Sequence, residues 1–156
     1  MIQLKNADQI KIMKEAGRIT GEALLVAREH VREGISTKEL DTLIRRHIEK
    51  CGAKPSFLGY GGFPGSACIS INNVVIHGIP RKDIIIRDGD IVSVDVGAYI
   101  GGFHGDSAYT FAVGAVPENA LKLLDVTKTS LEKAHAVMKA GVRLGDIGSE
   151  IQNYCE

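Results

Sequence analysis

Charge of one sign is what this sequence most plainly lacks. Lys and Arg together number 19, Asp and Glu also 19, so the formal net charge is zero. A balanced chain gives no electrostatic reason to expect nucleic acid or an anionic membrane surface as a direct partner. Long apolar runs are missing as well. No stretch approaches the ~20 residues of a membrane span, and the opening MIQLKNADQIKIMKEAG has charges throughout and no apolar h-region of a secretory signal. Cysteine is sparse and unpaired in pattern: Cys51, Cys68 and Cys155 are three, widely spaced, with no CxxC. They read as free thiols in a reducing compartment, which points to the cytoplasm. Aromatics are few, and three of those outside residues 90–113 (Phe57, Tyr60 and Phe63) fall together in one Gly- and Pro-punctuated loop, AKPSFLGYGGFPGSA. That loop reads equally as a segment packed down by its own rings and as the apolar wall of a small pocket.

What is present suits one soluble α+β domain, with 156 residues, 44% of them hydrophobic. Ile10, Met13, Ala16, Ile19, Ala23, Leu24, Ala27 and Val31 recur at three- and four-residue spacing and predict an amphipathic helix over 7–32. Gly34 stops it. Ser36 with Glu39 forms a capping box for a second helix, which carries Leu40, Leu43, Ile44 and Ile48 on its inner face and stops at Gly52. CISIN (68–72) and VVIHGIP (74–80) read as short strands, with His77 closing the second just before Gly78 and Pro80. After Gly114 a helical pattern returns through Leu121, Leu124, Leu131, Ala134 and Met138, with Pro117 near its start.

Residues 90–113, DIVSVDVGAYIGGFHGDSAYTFAV, organise the rest. Gly101–Gly102 between β-branched runs predicts a two-residue hairpin turn, because both positions accept positive φ without steric cost. Ile100 then pairs with Phe103, and Asp95 lies opposite Ala108. Alternation places Asp95 and Asp106 on one sheet face as diagonal neighbours. Two carboxylates there repel unless they share a proton or a cation lies between them. Three readings stand: a structural pair hydrogen-bonded to loops, an acid/base pair as in glycoside hydrolysis, or half of a two-metal site with ions about 3.5–4 Å apart. Gly97, Gly101, Gly102 and Gly105 leave room beside the carboxylates and favour a cation. His104 shares the face of Asp106, as a further ligand or a hydrogen-bond partner.

A shift of 107 residues aligns the chain with itself. Leu24 falls on Leu131, Ala27 on Ala134, Gly34 on Gly141, Glu39 on Asp146, Leu40 on Ile147 and Ile44 on Ile151. Shared punctuation at the glycines makes this an internal repeat rather than a coincidence of common residues. The expected organisation is a single incomplete catalytic domain over 1–156, with residues 1–114 as a first αβ half and 115–156 as the opening helices of a second.

The runs GYGGFPGSACISINNVVIHGIP, DGDIVSVDVG and GGFHGDSAYTFAVG resemble the first half of a type I methionine aminopeptidase. The resemblance covers essentially the whole chain. It implies the pita-bread (creatinase/aminopeptidase) fold, in which two pseudo-symmetric halves enclose a dinuclear metal site. It implies removal of the N-terminal initiator methionine from nascent polypeptides by a monomeric cytoplasmic enzyme holding two divalent ions (Co, Mn, Fe or Zn). Residue by residue, Asp95 matches an aspartate that chelates one metal and Asp106 the aspartate that bridges both. His77 matches a catalytic, substrate-contacting histidine. Phe57, Tyr60, Phe63 and Cys68 match positions lining the methionine pocket, and Asn72 and Val74 match positions whose carbonyls hold a monovalent cation. Family members often carry Tyr at the position of Phe63 and a smaller residue at that of Phe57. The family's remaining ligands, a histidine and two glutamates, would follow Glu156, so this length of chain alone is expected to be inactive. The alternatives are a binding protein that keeps the fold without catalysis, or a fragment with no function of its own.

Overall fold

A computed structural model describes residues 2–156. Helix α1 (Ala7–His30) begins where Asn6 and Gln9 cap one another. The Gln9 N–H donates to Asn6 Oδ1 and the Asn6 N–H to Gln9 Oε1, both at 2.9 Å. Helix α2 (Thr37–Lys50) starts at the expected box. The Glu39 N–H donates to Ser36 Oγ at 3.1 Å, while the Ser36 N–H and hydroxyl donate to the Glu39 carboxylate at 2.9 and 2.7 Å. Gly52, at φ 75°, ends it in the left-handed conformation that only glycine takes without cost. The short strand β1 (Lys54–Pro55), a single 3₁₀ turn at Tyr60–Gly62, and β2 (Ala67–Ile71) follow.

Strands β3 (Ile91–Ile100) and β4 (Phe103–Ala112) form the hairpin in the expected register, Ile100 opposite Phe103 and Asp95 opposite Ala108. Gly101 and Gly102 stand at φ 58° and 88°, the paired positive values of the two-residue turn. β4 takes one whole edge of β3, so β1 and β2, both antiparallel to it, share the other. Val92, Val94, Val96 and Ala98 project from the inner face into a core completed by Ile19, Ala23 and Ala27 of α1 and Leu40, Ile44 and Ile48 of α2. Gly105 lets α1 come down directly onto β4: a Cβ there would sit 2.4 Å from the Ala16 carbonyl oxygen.

The strand expected over 74–80 does not form. Asn72 turns the chain at φ 53°, and its side chain accepts from the Ile91 N–H at 3.0 Å and donates to Asp90 at 2.8 Å. Tied there, the segment leaves the sheet, and Val74, Val75 and Ile76 are exposed. After the turn, in which the Val74 N–H donates to the Ile71 carbonyl at 3.1 Å, it returns to β2 at Gly78, whose carbonyl accepts from the Ile69 N–H at 2.9 Å. His77 therefore lies not at a strand end but on this loop, at φ 58°.

The chain divides after Ala115. The second unit, Val116–Glu156, is a pair of packed helices, α3 (Glu118–Val137) and α4 (Leu144–Cys155). No described helix is long and apolar enough to cross a membrane.

Candidate functional site

The alternation that sends Val92, Val94 and Val96 into the core sends Ser93, Asp95, Gly97 and Tyr99 to the opposite face of β3. The register sets Cys68 of β2 and Ala108 of β4 on either side of Asp95, and Asp106 opposite Gly97. Asp95 and Asp106 are thus diagonal neighbours on an open face, flanked by small side chains. Their carboxyls are close enough to share a hydrogen bond. Burial, the Asp106 charge and that hydrogen bond together push the Asp95 carboxyl above the ordinary carboxylate range. His77 is near enough for its charge to pull the other way.

Burial, with Asp95 and Asp106 adding to it, pushes the Cys68 thiol up to about 11. Cys68 is therefore protonated at neutral pH and is not poised as a nucleophile. Gly97, the register partner of Asp106, lets the aromatic loop come down onto the sheet. A Cβ on it would lie 2.7 Å from Ser56 Cβ and 2.8 Å from Phe57 Cε1, so the start of the aromatic loop rests on β3 at this point. The Ser56 N–H donates to the Gly97 carbonyl at 2.9 Å and fixes it there. Phe57 and Phe63 are half-buried, whereas Tyr60 is 82% exposed. Left-handed Gly59, Gly61 and Gly62 fold the loop tightly, and the Gly59 N–H donates to the Phe63 carbonyl at 2.8 Å.

His104 pairs with the aromatic loop through one ring nitrogen. Its Nδ1 lies 2.9 Å from Ser56 Oγ, and its ring rests against Tyr99 with centroids 4.6 Å apart. The Asn72 and Val74 backbone carbonyls take no hydrogen bond among the described residues. His77 is placed by Gly78, where a Cβ would meet the Ile69 carbonyl oxygen at 2.1 Å and whose N–H donates to Ser70 Oγ at 3.0 Å.

Sequence reasoning missed two supports. Asp41, fully buried, accepts the backbone N–H groups of Ser66 and Ala67 at 2.6 and 3.0 Å and so fixes the start of β2, one residue before Cys68. Its signal was a carboxylate beside Leu40 and Ile44 on the apolar side of a helix. Ser56 holds both Gly97 and His104, and no spacing pattern marks it. A cleft of about 810 Å³ near Ser36, Lys38, Arg46 and Lys82 contains none of these residues.

The sequence pattern of Metallopeptidase family M24 matches residues 11–156. Methionine aminopeptidase 1 of Bacillus subtilis is 47% identical over all 156 residues, which span 62% of its length. The crystal structure of methionine aminopeptidase from Thermotoga maritima superposes with a TM-score of 0.96 at 41% identity, covering 99% of this chain and 62% of that one. A prolidase from Pyrococcus furiosus shares the fold at TM-score 0.86 and 23% identity, across 97% of this chain and 43% of its own. The architecture is part of the pita-bread fold that these structures share. With a match running from the second turn of α1 to the last residue, the chain belongs to metallopeptidase family M24.

Proposed function

We propose that these residues are the first αβ half and the opening helices of the second half of a methionine aminopeptidase, acting in the cytoplasm as a monomer on the N-terminal Met of nascent peptides. The observation that carries this reading is the carboxylate pair. Asp95 and Asp106 are diagonal neighbours on an open sheet surface with small neighbours, and burial together with the Asp106 charge makes ionisation of Asp95 costly. A divalent cation removes that cost, and two carboxylates suit hard or borderline ions. Asp95 and Asp106 would hold the metal, two ions in the assembled site, from among Co, Mn, Fe and Zn. When bound, such ions supply Lewis-acid polarisation of the scissile carbonyl and acidify water.

The remaining residues bind and orient. Phe57, Tyr60, Phe63 and Cys68 supply the apolar pocket for the methionine side chain. His77, held on its left-handed turn near Asp95, positions the scissile amide. The Asn72 and Val74 carbonyls are the candidates for a monovalent cation. Two carboxylates alone hold divalent metal weakly, since catalytic centres normally have about three protein ligands per ion. Residues 1–156 by themselves are therefore expected to be inactive.

The test is Asp106→Asn in the full-length protein, assayed on a Met-Ala-type peptide. Loss of turnover with an unchanged fold is the expected outcome, and undiminished turnover would sink the assignment. Metal analysis of the 156-residue chain should find one divalent ion or none bound at these carboxylates, with no Met-peptide hydrolysis.

A further inference from the structure

Behind the sheet, on the side away from Asp95 and Asp106, Glu22 of α1 meets His47 of α2 and Cys51 at the C-terminal cap of α2. The three are half-buried, and each offers one ligand atom, all within 4.8 Å of one another. His47 and Cys51 are four residues apart on a helix, so one turn brings them to one face. His47 Nε2 lies 3.6 Å from Cys51 Sγ and 3.4 Å from Glu22 Oε2. Those separations can be set against a tetrahedral ion. With Zn–S near 2.3 Å and Zn–N and Zn–O near 2.0 Å, tetrahedral angles put nitrogen and sulfur about 3.6 Å apart and nitrogen and oxygen about 3.3 Å apart.

We propose that Glu22, His47 and Cys51 form a binding site for a thiophilic divalent cation, zinc above all, with water as the fourth ligand. The donor set selects the ion. One thiolate and one imidazole favour zinc over magnesium or calcium, which prefer all-oxygen cages. Arg18 holds the other Glu22 oxygen, leaving Oε2 turned toward His47. An outer partner of this kind fixes a ligand's orientation. Binding displaces the Cys51 thiol proton to solvent, with no change of redox state. The ion ties α1 to α2, the two helices that back the carboxylate-bearing sheet.

The experiment uses the 156-residue chain stripped of metal and titrated with Co²⁺, whose sulfur-to-metal charge-transfer band in the near ultraviolet reports thiolate ligation. The wild-type chain is expected to show the band, and added Zn²⁺ to abolish it. Cys51→Ser should remove it. Cys68→Ser and the Asp95→Asn, Asp106→Asn double variant should keep it. His47→Gln and Glu22→Gln, which leave the thiol in place, should each weaken Co²⁺ binding by on the order of tenfold or more. Circular dichroism of the metal-free Cys51→Ser chain should match wild type. A chain that shows no band has only a thiol–imidazole hydrogen bond there, and the proposal fails. It fails equally if the band survives Cys51→Ser or disappears with Cys68→Ser.

Discussion

Gly105→Ala adds a single carbon, and its cost can be worked from the structure. The new Cβ would lie 2.4 Å from the Ala16 carbonyl oxygen, 2.5 Å from its carbon and 2.6 Å from Thr20 Oγ1. Ordinary carbon–oxygen contact begins near 3.3 Å, so α1 and β4 must separate by roughly 1 Å. No flexible tip can give way. The Ala16 oxygen belongs to helix backbone and already accepts the Thr20 hydroxyl at 2.8 Å, and Ala16, Ile19, Thr20 and Ala23 are all fully buried. A gap of that size forfeits about a quarter to a half of the dispersion energy across the contact. The expected destabilisation is about 3 kcal/mol, the upper end of the overpacking range. Gly17→Ala, on the same helix, is the control. A Cβ there meets nothing within 4 Å, and helix propensity predicts a gain of about 0.5–1 kcal/mol. Urea unfolding followed by circular dichroism should separate the two variants in opposite directions from the parent. If Gly105→Ala falls within about 0.5 kcal/mol of the parent, the close approach of helix and strand does not limit stability and the reasoning is wrong. Because Asp106 is the next residue, the same shift should depress the aminopeptidase activity proposed for the full-length protein.

Asp95 predicts a pH dependence. Its folded pKa lies above the unfolded value, so its contribution is most favourable where it is protonated in both states and is lost as pH rises from the ordinary carboxylate value through the folded one. Asp95→Asn should raise the metal-free Tm at neutral pH and flatten that limb of the Tm–pH curve; an unchanged slope would refute the assignment of the strain to this carboxyl. Ser36→Ala removes the hydroxyl that accepts the Glu39 N–H at 3.1 Å and should cost about 1 kcal/mol in denaturant titration. Iodoacetamide at neutral pH should label exposed Cys155 well before Cys68, which is buried and has its thiol pushed up to about 11; peptide mapping reads the order, and equal rates would contradict it.

Legibility in the sequence followed locality. The hairpin register was readable because Gly101–Gly102 allows one turn geometry, and alternation then carries Asp95 and Asp106 to one face without further information. The Ser36–Glu39 box was readable because both partners lie within one turn. The segment 74–80 was not. Its apolar run imitates a strand, but the conformation is decided by Asn72 bonding to Asp90 and Ile91, residues far along the chain. The placement of His77 depends on Gly78 fitting against Ile69, a contact between two backbones that leaves no pattern in either stretch alone. Asp41 was marked as a carboxylate on an apolar helix face, but what it binds was hidden in the same way. Its partners are backbone N–H groups of Ser66 and Ala67, and backbone carries no sequence signature.

The 107-residue repeat separates what a helix pair specifies from what a sheet adds. α2 starts at Thr37 and α4 at Leu144, one repeat apart, and the preceding glycines, Gly34 and Gly141, stand at φ 87° and 92°. The caps correspond too: Glu39 accepts the Ser36 N–H at 2.9 Å and Asp146 the Arg143 N–H at 3.0 Å. Turn, cap and helix start are therefore encoded locally in both copies. Burial is not. Ile44 is fully buried while its counterpart Ile151 is 36% exposed, and Leu131, the counterpart of half-buried Leu24, is 52% exposed. Ile44 shares its core with Val92, Val94 and Val96 of β3, whereas no strand lies among the described residues of the second unit. The apolar stripe of α3 and α4 thus has the spacing of a sheet-facing surface without the sheet that buries it in the first copy. The same sheet carries Asp95 and Asp106 on its far side.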